Sequence, residues 1–252
     1  MLEENSERIC TVFVADYEPE IGFATKLSDA AEAVQAKFAA PHWACGAGGY
    51  LLRKPKDRLL FNLDFRRVFC QTLGLEIWKK GHDDYGSLVR IVLEKVGVKS
   101  LKRVSFKISA YLLLGMSHAE MTDLFFGSFL LPAKELEIVC GKPDDAYVLL
   151  HGRQKNMKLH LTVNPMTVEQ AAQQFMATPN LEHFLEPQFL DTGVKEFKDR
   201  LAAPCLFLDV DLFRNDCPVT DLPFFIKDSL EGAQQICEQA VLRLKSLKPR
   251  KV

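Results

Sequence analysis

The sharpest chemical signal in the chain is Asp209-Val-Asp211, two carboxylates spaced two residues apart in an apolar run. On a strand, residues i and i+2 share a face, which sets these acids about 7 Å apart on one side. Hard cations prefer oxygen ligands, so the pair could begin a Mg²⁺ or Mn²⁺ site for a metal-dependent hydrolase. The alternative is that both acids pair with Arg103 or Lys107 on a neighbouring strand. Of the six histidines, His151 and His160 flank a polar turn and face each other across a hairpin, where either could act as a base. None has the His-x-x-x-His spacing of a helical metal site.

Cys45-Gly-Ala-Gly-Gly49 offers backbone N–H groups to a phosphate. A strand follows it, however, where a phosphate loop needs a helix, so it reads as a turn. Arg66, Arg103 and Lys107 would make a charged sheet face for nucleic acid if the strands at 59–69 and 101–111 were neighbours. No nucleophile motif and no cofactor motif is present, and no cofactor is expected.

The elements that must carry these residues follow from hydrophobic periodicity. Strands are expected at Ile9 to Ala15, Tyr50 to Lys54, Leu59 to Phe69 and Leu101 to Tyr111, with a further one near Gly74 to Lys79. In the 101–111 strand, Val104, Phe106, Ile108 and Ala110 alternate with Arg103, Ser105, Lys107 and Ser109. Helices are expected at Thr25 to Phe38 and Tyr85 to Val96. The second half repeats the theme. A helix over Met116 to Leu130 opens on the capping box Ser117-x-x-Glu120. Strands follow at Glu135 to Val139, Ala146 to His151 and Met157 to Val163. A short helix at Val168 to Met176, a helical stretch at Gln188 to Ala203 and a strand at Cys205 to Leu212 complete it.

The last helix has the most regular stripe. Ile226, Leu230, Ala233, Cys237, Ala240, Leu244 and Leu247 recur at spacings of 4, 3, 4, 3, 4 and 3, which keeps them on one face. Such a face needs the chain's own sheet or a second copy to lie against. The 116–130 helix, with Phe125 and Phe129, is apolar nearly all round and is likewise buried or meets a partner.

The fold class is therefore α+β: two related α/β halves with mainly antiparallel sheets, helices on one face and a long C-terminal amphipathic helix. The halves are residues 1–112 and 113–252, separate or fused into one domain through the 101–111 strand.

A net charge of -1 argues against nucleic acid held by the overall field. No apolar run approaches the roughly 18 residues of a membrane span, and the acidic first residues do not resemble a secretory leader. Seven scattered cysteines without Cys-x-x-Cys spacing suit reduced thiols in a cytoplasm.

Leu101 to Ile108, Leu206 to Phe213 and the closing helix, in their order and spacing, resemble a sporadically distributed family of uncharacterised bacterial proteins of about this length. That family carries an Arg-initiated mid-chain strand, then a Leu-Asp-hydrophobic-Asp strand and a long helix. The resemblance implies a fold and a bacterial source and no activity.

Strong apolar helices beside weak chemistry point to a non-catalytic interaction or regulatory protein. Its expected contacts are Leu230, Leu244, Phe125 and Phe129, with a protein partner or a second copy as a homodimer. A metal-dependent hydrolase using Asp209 and Asp211, and a nucleic-acid binder using Arg66, Arg103 and Lys107, are the alternatives.

Overall fold

The computed structural model describes residues 6–19, 22–39, 42–46, 48–54, 58–73, 76–129, 147–178, 180–181, 195, 197–199, 201 and 203–246. The chain is α+β. The first half runs β1 (Ser6–Asp16), α1 (Phe23–Phe38), β2 (His42–Gly46), β3 (Gly49–Lys54), β4 (Leu59–Asp64), β5 (Arg67–Leu73) and α2 (Glu76–Val96). The second runs β6 (Ser100–Leu112), α3 (His118–Phe129), β7 (Val148–Gln154), β8 (Met157–Met166), α4 (Val168–Met176), β9 (Cys205–Pro218), a 3₁₀ turn and α5 (Leu222–Ser246).

The nine strands of the described residues join one antiparallel sheet in the order β2-β3-β4-β5-β1-β6-β9-β8-β7. The order shows how the halves are related. In each, an opening strand is followed by a helix and then a meander that returns to pair with that opening strand, and a long helix closes the unit. The opening strands β1 and β6 pair with each other, with Phe13 opposite Phe106, so the sheet is continuous from one half to the other.

Alternation along each central strand divides the sheet into two faces. Phe13 and Ala15, Val104 to Ala110 at even positions, and Leu206, Leu208, Val210 and Leu212 bury one face under α1, α2, α3 and α5. On the other face, among the described residues, α4 with Phe197 and Leu201 covers one end, over Leu60, Leu73, Tyr111 and Phe207. α4 is therefore the exception to helices lying on one side. It begins with a full capping box, Thr167 to Gln170, which fixes where the chain leaves β8.

Several elements differ from the sequence expectation. The stretch expected as one strand at Leu59 to Phe69 is two, folded back at Phe65-Arg66. The Asp64 carboxylate accepts the Arg66 N–H at 2.7 Å, a local turn that competes with extension of the strand. Tyr17 locks the turn by donating its hydroxyl to the Asp64 carbonyl at 2.7 Å. The strand expected near Gly74 to Lys79 is replaced from Glu76 onward by α2. The Gly-rich run is the β2–β3 hairpin, where Gly49 has φ +144, a conformation that side chains disfavour. The strand expected at Glu135 to Val139 lies outside the described residues, as does much of the 188–203 stretch.

The helix stripes expected to meet a partner are largely consumed by the core. Phe125 is 1% exposed, and Ala233 and Cys237 are sealed against the sheet, with Leu230 and Ala240 packed beside them. The C-terminal stripe lies on its own sheet, over β9 and β6, beside α3 on β8. Of the expected partner contacts, Phe125 is thus core packing, and Leu230 packs partly buried against the core. Phe129 and Leu244 fall within α3 and α5, and their side chains lie outside the described residues. No helix of the described residues is long and apolar enough to cross a membrane.

Candidate functional site

The open face of the sheet, over β1, β6, β9, β8 and β7, gathers most of the residues that could do chemistry. β6 contributes Arg103, Lys107 and Ser109, and β9 contributes Asp209 and Asp211, all at odd positions and so on the same side. Asp211 lies opposite Lys107 in the register, and Asp209 opposite Ser109. On the far side of β9, His160 of β8 lies opposite Asp211, and His151 of β7 lies opposite His160. One row across the sheet therefore reads Lys107, Asp211, His160, His151.

The charges on this face are paired. Lys107 Nζ donates to Asp209 Oδ2 at 2.8 Å, and Ser109 Oγ donates to Asp209 Oδ1. Arg103 Nη2 donates to Asp211 Oδ2 at 3.1 Å while its guanidinium lies 4.3 Å above the centre of the Phe213 ring. Along the same edge Arg67 is held by Asp16. The two histidine rings meet edge to face with centroids 4.4 Å apart, and His160 also stands against Phe213 at 4.8 Å. Phe213 thus acts as an apolar post around which Arg103, Lys158 and His160 are arranged.

Asp211 is the least comfortable member. Burial lifts its carboxyl above the ordinary range, against the opposing pull of Arg103, Lys107 and His160, and Asp209 adds to the rise. Its Oδ1 is buried and has no hydrogen-bond partner. Asp209 and Asp211 share a face as their spacing requires, and each engages a cation from β6. Among the described residues no group of three His, Cys, Asp or Glu side chains converges as a metal site would require.

Arg66 does not join Arg103 and Lys107. β1 lies between β5 and β6, so the two strands are not neighbours, and Arg66 sits in the β4–β5 turn beyond the end of the strands. The three-residue basic face expected from sequence is therefore split. Three buried cysteines make poor nucleophiles: burial pushes the Cys10 thiol up to about 11 and those of Cys205 and Cys237 up to about 12.

Sequence reasoning missed a second feature of the face. Where the end of α4 crosses over β5, β1, β6 and β9, it leaves a cavity of about 350 Å³. Lys107, Ser109 and Asp209 line it from the sheet. Asn180 lines it from the roof and donates to Gln71 Oε1 at 3.2 Å, tying roof to floor. Ser109 had a signal, since it shares the face of Lys107 in the alternating strand. Gln71 and Asn180 had none, because their meeting depends on where α4 lands.

No family model matches the chain, and no curated protein matches its sequence.

Proposed function

We propose that this chain is a non-catalytic binding protein whose working surface is the open face of its sheet. One observation carries this reading: the acids and bases of that face are spent on one another, as Lys107 with Asp209 and Arg103 with Asp211. Asp211, with its raised carboxyl and unpartnered Oδ1, comes nearest to the displaced pKa and free edge that a catalytic group needs, but Arg103 already holds its other oxygen. Here the pairs make a fixed polar surface, suited to recognition through complementary charge and hydrogen bonds. Phe125, Ala233 and Cys237 of the apolar helices are buried in the core, while the sheet face presents organised polar chemistry.

The test is native mass spectrometry on protein purified gently from its own host, comparing the parent with Arg153→Glu/Lys158→Glu. Both cations lie on this face, opposite each other at the β7–β8 hairpin. A stoichiometric partner or second copy that the parent holds and the variant loses supports the assignment. A partner held equally by both places binding elsewhere. A monomer carrying one divalent ion favours the hydrolase alternative instead, with Asp211 and His160 first in line, since the unpartnered Asp211 Oδ1 has His160 across from it.

A further inference from the structure

We infer that the cavity between α4 and the sheet is a binding site for a planar heteroaromatic ring with an amide-like edge, the chemistry of a nucleobase. The assignment deepens the sheet-face binding proposed above and rests on it. The volume, about 350 Å³, lies within the range of small-molecule sites. Its lining divides by chemistry. Phe69 brings a partly exposed phenyl ring, Phe175 and Phe207 back the wall as buried rings packed on Phe197 and Tyr111, and Val12 and Val14 lie on the floor. An aliphatic chain would satisfy these and leave the polar groups unmatched. A sugar would do the reverse.

The polar part decides the rest. Lys107 and Asp209 neutralise each other, and Ser109 donates to the same carboxylate. A ligand bringing a full charge to that floor would leave one charge in excess in a partly desolvated place, which is costly. A neutral ligand meets no such penalty. Lys107 keeps N–H donors beyond the one it gives Asp209, a carboxylate accepts more than two bonds, and the Asn180 carboxamide presents a donor and an acceptor side by side. Donors and acceptors interleaved on a neutral edge, with aromatic walls, are what a base requires; carboxamides read base edges in this way, and aromatic rings stack on base faces. The Cys10 thiol, also in the lining, stays protonated and adds a neutral wall.

A base can arrive as a free nucleoside or within a single strand. In the second case its phosphates would run over the same face toward Lys158 and Arg153, on β8 and β7. The experiment therefore has two arms on the full chain. Adenosine, guanosine, cytidine and uridine, each at about 2 mM, are tested by saturation-transfer NMR and calorimetry. A fluorescein-labelled single strand of about twelve nucleotides is tested by polarisation between about 50 and 200 mM KCl. Ala177→Trp blocks the cavity from an exposed roof position without touching the core, and Asp209→Asn alters the floor at constant shape.

Binding of a nucleoside that both variants weaken at least about tenfold, the cost of losing one good hydrogen bond to a charged group, supports the free ligand. Binding of the strand alone supports the second source if Ala177→Trp, Arg153→Glu/Lys158→Glu and added salt all weaken it. Lys37→Glu/Lys227→Glu, on α1 and α5, should leave either unchanged. No binding in either arm overturns the assignment, as does binding that Ala177→Trp does not affect. If a partner from the host is still lost with Arg153→Glu/Lys158→Glu, the sheet-face reading survives that failure; if it is not, both fall.

Discussion

Lys107 stands opposite Asp211 in the β6–β9 register, yet its ammonium bonds to Asp209, two residues along. The offset has a cause. Arg103, whose own register partner is Asn215, lies over Phe213 and takes Asp211, so both cations reach diagonally in the same direction. The pairs are thereby coupled: the packing of Arg103 on an aromatic ring decides which carboxylate Lys107 receives.

That coupling makes the two partners of one ion pair behave differently on mutation. Burial holds the Asp211 carboxyl above its ordinary range, so the folded chain binds this proton more readily than the unfolded chain. Its ionisation therefore lowers stability as pH rises from about 4 through its folded value. Asp211→Asn removes that term and should be at least as stable as the parent at pH 7, with the difference closing below about pH 4. Arg103→Met strands the carboxylate and should cost about 1 kcal/mol at pH 7, Arg103 being 42% exposed, and less in acid. Urea melts of both variants across pH check this; equal losses at every pH would refute it.

A second prediction concerns the other face. Tyr85 of α2 is fully buried, and its hydroxyl meets Thr72 at 2.9 Å and Thr11 at 3.0 Å, pinning α2 to β1 and β5. The two threonines also bond to each other, so neither is orphaned when the phenol is lost. Tyr85→Phe should therefore cost only about 1 kcal/mol. Thr72→Val leaves the phenol and Thr11 to share one bond and should cost about as much. A double-mutant cycle by thermal unfolding reads the coupling, and strict additivity would contradict the network.

How far the sequence foretold this structure depends on the range of the cause. The alternation of Arg103 to Ala110 and the Ser117–Glu120 box are local patterns, and both are found as expected, Glu120 accepting the Ser117 N–H at 2.8 Å. The β4–β5 break was hidden because Phe65 continues the apolar alternation, while the turn is made by one Asp64 side chain. Helix stripes report that a face is buried and nothing of what buries it, which is why Phe125 and Leu230 left both core and partner open. The split between Arg66 and Arg103 depends on β1 entering between β5 and β6, and the cavity on α4 crossing the sheet. Neither strand order nor that crossing is written in any local window.

The capping box supplies a third prediction. Ser117 and Glu120 exchange bonds at the entry to α3, and those from Ser117 hold the Glu120 carboxyl below its ordinary range. Ser117→Ala should cost about 1 kcal/mol at pH 7. Because the depressed carboxyl contributes only when ionised, part of that loss should disappear as pH falls through the carboxylate range. Chemical denaturation at pH 7 and in acid gives the comparison.

The last prediction separates core from surface on α5. Leu230 packs on the sheet's apolar face, while Phe224, one turn and a half earlier, is 71% exposed. Were the stripe an interface between chains, Leu230→Lys would yield a folded monomer and leave melting of dilute protein unchanged. Because Leu230 packs partly buried against the main cluster, Leu230→Lys must place a charge beside that cluster. It should destabilise the chain by about 3 kcal/mol or prevent folding. Phe224→Ser should shift stability by less than about 0.5 kcal/mol. Differential scanning fluorimetry at several protein concentrations distinguishes the cases, since a loss that is independent of concentration belongs to the core and one that dilution abolishes belongs to an interface.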